Sequence, residues 1–162
     1  MLYIIWFISY DLFIAPDGRT DEWLNALVAN HSASVLSILG FDGSTVPGAA
    51  QTVIRIQGKE MVGVGNPCNG LELFALFTGF VICFPGSWKQ KWWFILSGNA
   101  GIHFVNVLRA TTLAIIQFKS PEHLEFNHHY TFTVVVYSFI FLLWVTWANK
   151  FSKTGKQEEK NA

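Results

Sequence analysis

Residues 130–148, YTFTVVVYSFIFLLWVTWA, form a run of nineteen residues without one charge. About twenty apolar residues wound as helix cross a hydrocarbon core ~30 Å thick. This stretch alone points to an integral membrane protein. Trp144 and Trp147 lie near its end like an interfacial aromatic belt, and Lys150, Lys153 and Lys156 follow. Only 14% of the chain is charged, where a soluble domain carries about a quarter. The net charge is zero, which leaves no electrostatic footprint for a nucleic-acid partner. The lipid bilayer is the partner that composition implies.

Two further stretches read as spans. Residues 69–84, NGLELFALFTGFVICF, hold Glu72 as their one charge, and Pro85-Gly86 ends them. Residues 92–118 hold one formal charge, Arg109, and are long enough to span with tilt. Residues 1–15 are apolar apart from Asp11 and lack the basic start of a signal peptide. They read as a short, retained first span.

Residues 16–67 change character. Thr20 reads as an N-cap, with Asp21 and Glu22 in the first turn of a helix reaching Leu39. Trp23, Leu27, Val28, Val35, Leu36 and Leu39 are spaced as its apolar face. Residues 52–64 read as a β-hairpin about Gln57-Gly58-Lys59. The expected fold is an all-α membrane helical bundle of about four spans, the first short, with a small cap of one helix and one hairpin.

Lysines orient it. Lys89 and Lys91 in the connection 86–91, and Lys150, Lys153, Lys156 and Lys160 in the tail 149–162, share one side by parity. That side is expected to be cytoplasmic. The cap at 16–67 and the connection 119–129 then face outward from a multi-pass protein of the cell's inner (cytoplasmic) membrane.

This topology gathers chemistry at one level. Cys68 opens the second span at the outer mouth, and His128 and His129 open the last. Arg109 lies seventeen residues into a span that enters from the cytoplasm, about 26 Å deep at ~1.5 Å per residue. Thiol, guanidinium and imidazole therefore reach one layer from three helices. Cys68 lies in the polar turn Asn66-Pro67-Cys68-Asn69-Gly70, and a helix N-terminus favours a thiolate. Cys83, between Ile82 and Phe84, reads as an apolar filler. A charge inside a span is costly and by default functional, although Arg109 is near enough to the boundary to snorkel. Asn99, His103, Asn106 and Arg109 share about a third of the helix circumference, a stripe expected to face the bundle interior. Glu72 falls one turn after Cys68 on the same face. His31, His103 and His123 read as structural. No spacing of Cys and His suggests zinc, and neither metal nor cofactor is expected.

The blocks Asn66-Pro67-Cys68-Asn69-Gly70-Leu71, Asn106-Val107-Leu108-Arg109 and Asn127-His128-His129-Tyr130 resemble the signature blocks of the exosortase/archaeosortase family, in the same order. The chain resembles that family's small variants, over roughly 66–147. The resemblance implies a membrane cysteine transpeptidase or peptidase with an outward-facing site. Its substrates would be exported proteins with a C-terminal sorting signal: a short motif, a hydrophobic span and a basic end. Cys68 would be the nucleophile and Arg109 its electrostatic partner. The register favours His128 as the family histidine, with His129 where many members carry Asp. Phe132-Thr133 stands where many carry Gly-Trp.

Two other classes remain at this stage. A non-enzymatic subunit would bind a partner's transmembrane helix through the polar stripe, with Arg109 paired to Glu72 or to a partner acid. Thiol redox chemistry is least favoured, because Cys68 and Cys83 should lie ~22 Å apart along one helix, beyond the reach of a disulfide.

Overall fold

The computed structural model describes residues 10, 12, 18–48, 50–66, 68–123 and 132–151. In chain order these residues form α1 (Arg19–Ile38), β1 (Gly43–Pro47), β2 (Gln51–Ile56), β3 (Lys59–Gly65), α2 (Leu71–Cys83), α3 (Trp88–Lys119) and α4 (Phe132–Thr146). A 3-10 turn, Pro121–His123, follows α3, and a π-helical turn, Trp147–Phe151, continues α4.

The longest helix, α3, organises the molecule. Its 32 residues extend about 48 Å at 1.5 Å per residue, well beyond a ~30 Å hydrocarbon core. Its first half packs in one cluster with Phe77 and Val81 of α2, Val136 and Ile140 of α4, and Trp147. Its second half packs through Val107, Ala110 and Ala114 in another, with Val28, Ala29 and Leu36 of α1 and Ile54, Ile56 and Val64 of the sheet.

Among the described residues, α3 and the helix 132–150 are long and apolar enough to cross a bilayer. The apolar α2 has thirteen residues, about 20 Å. Residues 1–15 lie outside the described residues apart from Tyr10 and Leu12. The mostly helical architecture with a small β element matches the expectation from sequence, and several details correct it.

The β element is a three-stranded antiparallel sheet in the order β1-β2-β3, not a hairpin. The β2–β3 turn falls as expected at Gln57-Gly58, both with positive φ (52° and 75°), the backbone a two-residue type I′ hairpin demands. The extra strand β1, GSTVP, carries no alternating apolar signal. It is held by pairing with β2 and by Thr45 Oγ1, which donates to Asn30 Oδ1 of α1 at 2.7 Å.

Helix α1 starts at Arg19 with Gly18, not Thr20, at its N-cap. Its buried face is Asp21, Leu24, Asn25, Val28, Ala29, Ser32, Ala33 and Leu36, whereas Trp23 and Leu39 are exposed. The buried face departs from the apolar pattern because three of its residues, Asp21, Asn25 and Ser32, are polar. Burial of such groups is tolerated when they are hydrogen-bonded. Ser32 Oγ, for example, donates to the Val28 carbonyl at 2.8 Å and approaches that of Val107 across the helix pair at 3.3 Å.

At the opposite end, Trp147 is not a belt residue. It is fully buried beside Phe94 and tight against Gly86, where an added Cβ would meet its ring at 2.7 Å. Trp144 stacks on Phe80. Trp88, Trp92 and Trp93 at the start of α3 are exposed. Lys91 lies inside α3, not in a loop. It is buried, and its Nζ donates to the Ile82 carbonyl at 2.7 Å, satisfying a carbonyl orphaned at the C-terminus of α2. Cys83 is exposed rather than buried.

Candidate active site

Strand β3 delivers the chain to the site. The Cys68 N–H donates to the Gly65 carbonyl at 2.6 Å, so the chain turns at once from strand toward α2. Gly70, at φ +88°, completes the turn. A side chain is strained at that φ, and a Cβ there would also crowd Asn106 Nδ2 at 3.2 Å. The Asn69 carboxamide then caps α2, its Oδ1 accepting from the Leu71 N–H at 3.0 Å. Cys68 thus sits at the mouth of a helix, held by backbone.

The opposite wall is α3, antiparallel to α2. Asn106 is 2% exposed, and its Nδ2 donates to the Cys68 carbonyl at 2.9 Å. Three residues on, Arg109 Nη2 donates to Cys68 Sγ at 3.6 Å. Sulfur is large and diffuse, and a guanidinium beside it stabilises negative charge there. Arg109 Nε is buried without a hydrogen-bond partner among the described residues. An orphaned buried donor costs about 1–3 kcal/mol, so an arriving acceptor gains by filling it.

The level expected of Arg109 from helix length therefore agrees with its contact to Cys68. The stripe also turns inward as expected. Asn99 Nδ2 donates to Thr78 Oγ1 of α2 at 3.1 Å, and His103 meets His31 of α1, Nε2 to Nδ1, at 2.9 Å. Glu72 lies in the first turn of α2 and makes no hydrogen bond or ion pair with Arg109 among the described residues. His128 and His129 lie outside the described residues. No cluster of three or more His, Cys, Asp or Glu able to hold a metal occurs among the described residues.

The sequence reading missed a set of residues behind the thiol. Asp21, 6% exposed in the first turn of α1, accepts from Asn69 Nδ2 at 2.6 Å and from the Tyr10 hydroxyl at 2.7 Å. Asn69 Nδ2 also donates to Asn66 Oδ1 at 3.0 Å, and Asn66 Nδ2 donates to the Tyr10 hydroxyl at 2.8 Å. In sequence, Asp21 looked like an ordinary first-turn acid. Its only distinguishing signal was its register with Val28 and Leu36 on the buried face.

In comparisons with known proteins, a family model described as transmembrane exosortase matches residues 1–146. No curated protein and no solved structure matches.

Proposed function

This chain belongs to the transmembrane exosortase family, a family of membrane transpeptidases, and on that premise we propose that Cys68 is its nucleophile. The contact of Arg109 Nη2 with Cys68 Sγ, made across two helices, carries this reading. The unfilled Arg109 Nε beside it supplies a donor for a substrate oxygen.

In the proposed reaction His128 takes the thiol proton and the Cys68 sulfur attacks a scissile carbonyl carbon. Negative charge moves to the carbonyl oxygen, and the Arg109 guanidinium stabilises it. The C–N bond breaks, the leaving amine takes the proton from His128, and a thioester on Cys68 remains. An acceptor amine or water then attacks the thioester carbon while His128 takes its proton, the C–S bond breaks, and His128 returns that proton to the Cys68 sulfur. Asn106 fixes the Cys68 carbonyl and so the direction of the thiol. His129 and Glu72 stand as secondary candidates.

The substrate in this reading is an exported protein with a C-terminal sorting signal. With Trp88, Trp92 and Trp93 at the cytoplasmic interface, Arg109 lies 21 residues up α3, about 31 Å. Cys68 then meets a peptide bond where a translocated chain leaves the outer face of the inner membrane. In a four-span arrangement α2 crosses as a short span, with local thinning of the bilayer.

The test compares wild type with Cys68→Ala and Cys83→Ala in intact cells. A membrane-impermeant maleimide should label the protein through Cys68, and processing of exported proteins with a C-terminal hydrophobic segment should stop in Cys68→Ala. Processing that survives in an inserted Cys68→Ala protein would sink the mechanism. The partner-binding reading, with Arg109 paired to Glu72, has less support because the guanidinium turns to the thiol.

A further inference from the structure

The carboxylate of Asp21 is used in an unusual way. It occupies the third position of α1, where an acid ordinarily folds back onto the N-cap amide. Here both oxygens point out of the helix, to Asn69 Nδ2 and to the Tyr10 hydroxyl. The group is 6% exposed, and no ion pair to it occurs among the described residues. Two short donors and the positive end of α1 offset the cost of burying it.

Its partner Asn69 follows the thiol directly in sequence and is 2% exposed. Both Asn69 amide hydrogens and its carbonyl oxygen are engaged, by Asp21, Asn66 and the Leu71 amide. A side chain so committed cannot rotate without breaking several bonds. The Cys68–Asn69 linkage is therefore clamped from two directions: from α1 through the Asn69 side chain, and from α3 through Asn106 on the Cys68 carbonyl.

We propose that Asp21 is a positioning residue for the Cys68 thiol, acting through Asn69 to hold Sγ against Arg109. The proposal rests on the reading of Cys68 as nucleophile. The role is geometric: Asp21 supplies acceptors at fixed points and moves no proton in the reaction. Asparagine keeps an acceptor for Asn69 Nδ2, and its amide can donate to the Tyr10 oxygen, so Asp21→Asn should preserve the clamp. Alanine cannot.

The test uses the full chain in detergent, in a Cys83→Ala background, and measures the rate at which iodoacetamide alkylates Cys68. Asp21→Ala should slow alkylation at least fivefold, because the thiol leaves the guanidinium, while Asp21→Asn stays within about twofold of wild type. General loosening of the fold would do the opposite and speed alkylation. Processing in cells should show the same order, with kcat lowered and KM held. Wild-type alkylation in Asp21→Ala, or equal slowing in both variants, overturns the proposal. If Asp21→Ala fails to accumulate, Asp21→Glu is read instead: its oxygens stand one methylene further out, slowed alkylation supports the clamp, and a wild-type rate refutes it. Alkylation needs no substrate. Surviving processing in Cys68→Ala would thus remove the transpeptidase role while leaving the Asp21 result to stand or fall separately.

Discussion

The two halves of α3 solve different packing problems. The lower half, against α2 and α4, is shaped by small residues. An added Cβ on Gly98 would overlap the Phe77 ring, and one on Gly101 would meet Phe139 at 3.1 Å. Helices in lipid gain little from apolar burial, because lipid tails are as apolar as leucine; they associate by close fit. The upper half, against α1 and the sheet, is packed by Val28, Leu36, Ile54, Ile56 and Val64, while Glu22, Lys59 and Glu60 stay exposed around it. Exposed charges are costly in hydrocarbon and ordinary in water, where apolar burial does drive association. Asn106 and Arg109 lie between these two clusters, and Cys68 joins them there.

Substitutions can break this comparison. The largest effect belongs to Arg109→Gln, which removes the charge beside Cys68 Sγ. Loss of one oxyanion-type donor is worth about a hundredfold or more in rate, and processing kinetics should show a fall of that order with stability nearly unchanged. Ile54→Ala should cost about 2–5 kcal/mol in the cap. Thermal melting would show it, and a cap that melted together with the α2–α4 cluster at an unchanged temperature would mean the two clusters are not distinct. Gly98→Val should cost about 1–3 kcal/mol by overpacking against Phe77, seen as a lower melting temperature in micelles. That loss should leave iodoacetamide reactivity of Cys68 within about twofold of wild type if the halves are independent. The smallest effect is Glu60→Ala. It removes the Arg55–Glu60 ion pair at 2.6 Å, whose side chains are 31% and 62% exposed. An exposed pair is worth about 0–1 kcal/mol, so a larger shift in cap melting would show that β2–β3 pairing leans on it.

Long-range order was legible wherever a pattern was long. The long apolar stretches 92–118 and 130–148 declared themselves as helices by length and lack of charge, and the helices found, Trp88–Lys119 and Phe132–Lys150, differ at their ends by only a few residues. The meeting of Cys68 with Arg109 was legible too, because antiparallel helices with a fixed rise convert sequence distance into depth. The stripe Asn99, His103, Asn106, Arg109 followed from the same arithmetic. Short and polar features were not legible. Strand β1 has five residues with no alternation, and pairing with β2 makes it. The α1 face was misjudged because Asp21, Asn25 and Ser32 are buried on it. Trp147 looked interfacial and proved to be core because Gly86 and Phe94 close over it.

Read alone, the residues already mark a membrane protein, two helices long and apolar enough to cross a bilayer, and a cysteine and an arginine that come together. Those conclusions need only helix geometry and the cost of charge in hydrocarbon. The tertiary structure alone decided which partner each polar group takes. Asp21 is 48 residues from Asn69 and His31 is 72 from His103, and no local pattern encodes either pairing. Such contacts depend on how α1 lies against α3, which is set by the summed packing of the cap core rather than by any one residue in it.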